Sequence, residues 1–457
     1  MEKSGLRVVL ISTYELGRQP FGLASPAAWL RQVGATVRCL DTAVAPLDEQ
    51  VIRDADLVAF YIPMHTATRL AAALIPRVLG LNPHARLCFY GLYGPVNEAY
   101  LRALGAHTIL GGEFEAGLAA LVRRLSGGGD GGQVEPAISL DRQQFLVPDR
   151  RGLPPLSLYA QVNLGDGRVR TVGYTEASRG CKHLCRHCPV VPVYAGRFRI
   201  VQREVVLEDI RRQVESGAEH ITFGDPDFFN GIGHALALVR DLHAEHPRLT
   251  YDVTAKIEHL LTHRRHLPTL RDTGCLFVTS AVESVDDRVL ARLDKGHTRK
   301  GFEEAVGIFR AIGLSLNPTF VAFTPWISPQ GYLDLLEALA DLDLVDHVAP
   351  IQLTLRLLIP AGSKLLDLPE VQALVEGFDP AGLSYGWHHP DPRVDRLQKA
   401  IQKLVQEAEA GGSSRREIFG RVWRLAAQAA GRVCGSPPQP RGPAHTPIPY
   451  MNEPWYC

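Results

Sequence analysis

The chain of 457 residues carries 49 basic and 49 acidic side chains, with 46% hydrophobic and 21% charged residues. That is the composition of a globular protein with ample core, and its balanced charge excludes a global field that gathers polyanions, so nucleic acid is not an expected partner. Residues 1–17 lack the long apolar region and cleavage site of a secretory signal, and no run approaches a membrane span, so a cytoplasmic protein with no membrane contact is expected.

Residues 1–125 alternate apolar runs (LRVVLIS, TVRCLD, ADLVAFYI, RLCFYGLY, HTILGG) with stretches such as HTATRLAAALIPRVLGL, whose apolar positions follow the helical period. Five βα units with short loops predict a parallel sheet covered on both faces, with ligands at the C-terminal strand ends. Residues 12–17, after the first strand, are the candidate loop there. Residues 126–170 read as a flexible linker, SGGGDGGQVEP, followed by a hairpin around Gly-Asp-Gly.

The alternation resumes over residues 171–370. Strands are expected in TVGYTEA, HITFGDP, LTYDVTAKI, CLFVTSAVE, LSLNPTFVAF and VAPIQLTLRLLI. Six βα units predict an incomplete barrel with its chemistry at the strand C-terminal ends. Residues 371–433 read as helical, with amphipathic runs DRLQKAIQKLVQEAEAG and SRREIFGRVWRLAAQAAG. Residues 434–457 are rich in proline and read as an extended tail.

Of eight cysteines, Cys39, Cys88 and Cys275 lie in strand-like runs and read as small buried hydrophobes. Cys181, Cys185 and Cys188 stand in a C-x3-C-x2-C spacing within EASRGCKHLCRHCP. Three thiolates on one short loop can hold three corners of a 4Fe-4S cluster and leave the fourth iron open to a bidentate small molecule. The competing reading is zinc, completed by His183 or His187, but so short a loop does not readily close a tetrahedron on itself. Asp225 or Asp227 could cap the following helix, and Lys256 and Glu258 could form an ion pair on a strand face. His220, His259, His263 and His297 read as ordinary loop or surface histidines. Glu283, inside VTSAVES, needs a partner if buried and so reads as functional.

The cysteine spacing at the first strand of a six-unit βα region resembles the radical S-adenosylmethionine (SAM) superfamily, in the subgroup with an N-terminal cobalamin-binding-like domain. FGDPDF stands at the place of the family's Gly-Gly-Glu motif; Gly224 is retained, and Asp225 is the implied polar contact to SAM. In the third expected strand, VTAKIEHL, Thr254, Lys256 and Glu258 would alternate onto one face, and Thr254 and Lys256 are implied cofactor contacts. SAVESVDDRVLARLDKGHT resembles the family's ES…VL…KG-T signature, with Glu283 and Ser284 implied to face the cofactor. His187 replaces the usual aromatic before the third cysteine and is implied to stack on adenine.

The fold so implied is α/β: a flavodoxin-like, cobalamin-binding-type Rossmann domain, a partial (β/α)6 radical SAM barrel, and a helical C-terminal region with an extended tail. The resemblance implies a 4Fe-4S cluster that cleaves SAM to a 5′-deoxyadenosyl radical, fed by an electron donor such as flavodoxin or ferredoxin. Cobalamin is the further candidate cofactor, and methyl transfer to a small molecule or peptide the implied reaction. In the loop STYELG, however, Tyr14 occupies the position of the cobalt-ligating histidine of the best-known cobalamin domains. Alternatives are a cobalamin-independent radical oxidoreductase or rearrangement enzyme, and a non-catalytic iron–sulfur scaffold or sensor. The ending EPWYC resembles a group whose tails run Cys-Cys-Ala-Glu-Pro or Cys-Sec-Ala-Glu-Pro. By that resemblance Cys457 is a redox tail residue, the chain is truncated at a selenocysteine codon, and Cys434 is a candidate partner.

Overall fold

The computed structural model describes residues 5–129, 132–432 and 448–452. The first sheet comprises β1 (Arg7–Ser12), β2 (Thr36–Asp41), β3 (Leu57–Tyr61), β4 (Arg86–Tyr90), β5 (Thr108–Gly112) and the short β6 (Ile138–Ser139), in the order β2-β1-β3-β4-β5-β6 with every pair parallel. Helices pack on both faces and bury two separate apolar cores, which is why β3 and β5 are buried along their whole length. The order reverses between β1 and β3, so their C-terminal ends open a crevice on one edge of the sheet. β6 is recruited from the segment expected to be linker.

The second sheet is a curled half-barrel. β7 (Gln161–Asn163) and β8 (Val169–Thr175) form the expected hairpin. β9 (Ser178–Gly180) and β10 (Phe198–Ile200) form a small antiparallel pair. β11 (His220–Phe223), β12 (Thr250–Thr254), β13 (Cys275–Glu283) and β14 (Ser315–Phe320) then join β8 as parallel neighbours, in the order β14-β13-β12-β11-β8. The sixth strand expected in VAPIQLTLRLLI is reduced to one parallel bridge, Phe323 with Arg356. Within the run, Pro350–Leu353 forms a 3-10 turn instead, preceded by another at Val345–His347.

Two further expectations need correction. β12 stops at Thr254, and Lys256 is the cap residue of the helix Ile257–Thr262. Thr254, Lys256 and Glu258 therefore do not alternate along one strand face. The turn is fixed by the Ala255 N–H, which donates to Thr279 O at 3.0 Å, and by the Lys256 N–H, which donates to Asp227. The segment expected to be helical opens instead with an antiparallel hairpin, β15 (Val375–Asp379) and β16 (Ser384–Trp387). The helices Pro392–Ala410 and Arg415–Ala429 follow, the latter closed by a Ser414–Glu417 capping box. A last strand, β17 (Tyr450–Met451), pairs with β7 at the edge of the half-barrel. Among the described residues no helix is long and apolar enough to cross a membrane.

Candidate functional site

The loop that carries Cys181, Cys185 and Cys188 is held from both sides. Before it, Asp225 accepts hydrogen bonds from the Ala177 N–H at 2.9 Å and the Ser178 hydroxyl at 2.6 Å. This latches β9 to the turn after β11. Asp225 is buried, and burial pushes its carboxyl up to about 7 against those hydrogen bonds. Gly180 takes φ +73°, and a Cβ there would collide with the Tyr194 ring. Within the loop, Asn230 Oδ1 accepts the Lys182 N–H at 3.2 Å, and its amide donates to Gly180 O. The Arg186 N–H donates to Leu293 O at 2.9 Å, tying the loop to the helix Asp287–Leu293.

Cys181 and Cys185 are buried, and Cys188 is partly so. Burial pushes the Cys181 thiol up, and pushes Cys188 up to about 12 with help from the charges of Cys185 and Cys181. Thiolates here need a cationic partner. Lys295, 3% exposed, is the nearest built-in one. Burial opposes its charge, but Glu283, Cys185 and Cys188 together hold it above its ordinary value. Lys295 Nζ donates to Glu283 Oε1 at 3.2 Å, and His187 Nε2 meets the same oxygen at 3.1 Å. Glu283 is therefore held down at about 2, although burial alone would raise it. Ser284, also buried, accepts the Asp286 N–H.

Three cysteines on one short loop can hold three corners of a cluster and leave one iron open, whereas structural zinc takes four ligands.

His183 and His259 lie beside the loop. His259, expected at the surface, is buried and places Nδ1 2.8 Å from Asp227 Oδ2. Its Nε2 meets His183 Nε2 at 3.1 Å. Burial, Lys256 and His259 pull His183 down to about 4. Asp227 also accepts the Phe229 N–H, the capping role foreseen for it. His220 is not a surface residue either: it is fully buried in β11 against Asp252 and Thr250.

A cavity of about 280 Å³ lies inside the half-barrel, where Thr222, Asp252, Thr254, Thr279 and Asn317 line its wall. Residues 12–17 were expected to serve the first sheet's ligand; in fact Leu16, with the adjoining Arg18, reaches this cavity. Tyr14, at the histidine position, is buried. A second cavity of about 200 Å³ lies between the half-barrel and the strand ends of the first sheet, lined by Tyr61, Gly91, Gly112, Phe114, Glu176 and Arg179. Tyr174 and Gly224 line both. Gly224 is needed because a Cβ would run into the Tyr174 hydroxyl.

Arg179, 6% exposed, crosses from β9 to the end of β5. Its guanidinium lies 2.7 Å from Glu115, 2.7 Å from Glu176 and 3.4 Å from Glu113. It also lies over the rings of Phe21, Phe114 and Phe145. Burial pushes Glu113 and Glu176 up, whereas Arg179 overcomes the same burial at Glu115 and holds it down.

The sequence-derived candidates thus separate. Gly224, Asp225 and Thr254 reach the barrel cavity. Glu283 and Ser284 lie beside the cysteine loop, and Lys256 pairs with Glu258 at 3.2 Å. Cys434 and Cys457 lie outside the described residues. Sequence reasoning missed Lys295, Asn230 and Arg179. The LDKG run and the arginine directly before Gly180 were the available signals.

A curled half-barrel bearing three cysteines on the loop after its first strand, preceded by a doubly covered parallel sheet, defines the class: a cysteine-bearing half-barrel with a Rossmann-type partner domain. More particularly, residues 175–344 match the family described as the Radical SAM superfamily. The hopanoid C-3 methylase of Methylococcus capsulatus is 24% identical over 328 residues, covering 67% of this chain and 62% of that protein. The chain thus spans less than two thirds of that relative. Among solved structures, the radical SAM methyltransferase TsrM from Kitasatospora setae, with tryptophan and a SAM analog bound, superposes with a TM-score of 0.66 at 16% identity, covering 88% of each chain. TsrM is also known with cobalamin and a [4Fe-4S] cluster bound. OxsB, a cobalamin-dependent SAM radical enzyme, gives a TM-score of 0.64 at 14% identity, covering 88% of this chain and 67% of its own. At these identities the likeness shows the fold: a curled half-barrel behind a doubly covered parallel sheet.

Proposed function

We propose that this chain is a radical SAM enzyme in which Cys181, Cys185 and Cys188 hold a 4Fe-4S cluster, acting on a small molecule or peptide in the barrel cavity. The observation that carries this is the loop of three cysteines, two buried and one partly so, beside the buried Lys295. When bound, the cluster supplies the electron that cleaves SAM to a carbon-centred radical. The chain's own residues orient and exclude. Lys295 offsets the charge of the thiolates, Glu283 holds Lys295 and His187 in place, and Asp225 fixes the entry to the loop. Gly224 and Thr254 keep the cofactor- and substrate-facing role, because they line the cavity. Lys256 and Ser284 act from behind it. The reductant would be a small electron carrier such as flavodoxin or ferredoxin.

Methyl transfer is the reaction supported by the names of the hopanoid methylase and TsrM. A second reading, radical chemistry without cobalamin, is favoured by the cleft between the two sheets. At about 200 Å³ it is smaller than even ordinary ligand pockets of about 300–1,000 Å³. A corrinoid fits only if Tyr61, Phe114 and the Arg179 cluster move, so no step is derived through it here.

Anaerobically reconstituted protein, reduced and given SAM, is the test. 5′-Deoxyadenosine in the products, dependent on all three cysteines, supports the proposal. An iron-loaded protein that leaves SAM intact would instead be a scaffold or sensor. Cobalamin retained after reconstitution with the cofactor present separates the methyl-transfer reading from the cobalamin-free one.

A further inference from the structure

We infer that His183 and His259 form a second metal site, for a first-row divalent ion, separate from the cysteine triad. The two imidazoles come from different elements. His183 lies in the cysteine loop and His259 on the helix Ile257–Thr262 that follows β12. Their Nε2 atoms converge to 3.1 Å. Two imidazole nitrogens bound to one ion at about 2.0–2.1 Å each come this close when they subtend nearly a right angle at the metal. Behind each ring stands a carboxylate: Asp227 Oδ2 lies 2.8 Å from His259 Nδ1, and Glu258 Oε2 lies 3.6 Å from His183 Nδ1. A carboxylate beside a ligating imidazole is a usual support of metal-bound histidine, and Asp227 stands close enough to serve His259.

Imidazole donors select zinc, iron, nickel or copper over magnesium and calcium. Asp227, which offers a carboxylate oxygen within 4.8 Å of a nitrogen of each ring, already accepts from Phe229 and Lys256. It therefore supports rather than ligates, and water fills the remaining positions. Bound there, the ion would pin the cysteine loop to the end of β12. The inference does not rest on SAM chemistry.

The test uses the full chain with its cluster assembled, washed with chelator, then equilibrated with cobalt(II) and desalted. One cobalt per chain beyond the cluster iron is expected, with X-ray absorption showing nitrogen and oxygen neighbours and no sulfur. His183→Gln and His259→Gln should each abolish the cobalt while keeping the iron, and Asp227→Asn should weaken binding by roughly 10–100-fold. Wild-type protein that retains no cobalt, cobalt bound through sulfur, or full cobalt retention in both histidine variants would each overturn the site. If a variant also loses its iron, the wild-type stoichiometry and ligand identity decide alone.

Discussion

Glu283 combines two costly features. Its φ of +69° is a left-handed conformation, which costs a non-glycine residue of order 1–3 kcal/mol, and its carboxylate is buried. Lys295 and His187 offset both by pairing with one oxygen. The carboxyl is held near 2 against an ordinary 4.5, so it stabilises the fold fully above pH 4.5 and loses that contribution as pH falls toward 2. The shift corresponds to about 3 kcal/mol. Urea unfolding followed from pH 6 down to pH 3.5 should show a steeper loss for wild type than for Glu283→Gln; parallel profiles would mean that the pair contributes nothing. At the triad, Cys181→Ala, Cys185→Ala or Cys188→Ala should each drop cluster iron to background and remove 5′-deoxyadenosine formation. Wild-type-like iron in any one of them would refute the ligand assignment.

At the scale of elements, the loop depends on how β9 enters it. Gly180→Ala meets both a positive φ and the Tyr194 ring, and it should cost of order 1–3 kcal/mol and lower cluster occupancy after reconstitution. Unchanged melting temperature and iron content would show that the turn relaxes freely. Elements also mark where the sequence was legible. β3, β4 and β5 were clear in it, because strands covered on both faces read as continuous apolar runs. The cysteine spacing was equally clear, because its chemistry is local. The end of β12 was hidden: VTAKIEHL satisfies a strand period and a helix start alike, and the deciding hydrogen bonds come from Thr279 and Asp227. His259 could not be placed either, since its partner His183 is brought to it only by the packing of the loop on β12. The apolar run at residues 348–359 was a fair strand by composition, but it holds one 3-10 turn and a single bridge.

At the scale of the whole molecule, one buried arginine bridges the two sheets, alongside contacts such as Arg150 with Gln19 and Tyr174 O. Arg179 belongs to the strand that feeds the cysteine loop, while Glu113 and Glu115 belong to the end of β5. Ser25 and Tyr194 add hydrogen bonds to the same two carboxylates, at 2.7 and 3.0 Å. Removing one partner of a buried ionic network leaves the rest uncompensated and costs about 3–5 kcal/mol, whereas replacing the whole network by apolar groups can be neutral. Arg179→Met should therefore be strongly destabilising, while Arg179→Met combined with Glu113→Gln and Glu115→Gln should recover part of the loss. Burial pushes Glu113 and Glu176 up while Arg179 holds Glu115 down. Because the arginine spans both sheets, its loss should also loosen their coupling: calorimetry should show one transition for wild type and two for the variant. A variant that melts in one transition at the wild-type temperature would show that apolar contacts, not this ion cluster, hold the two sheets together.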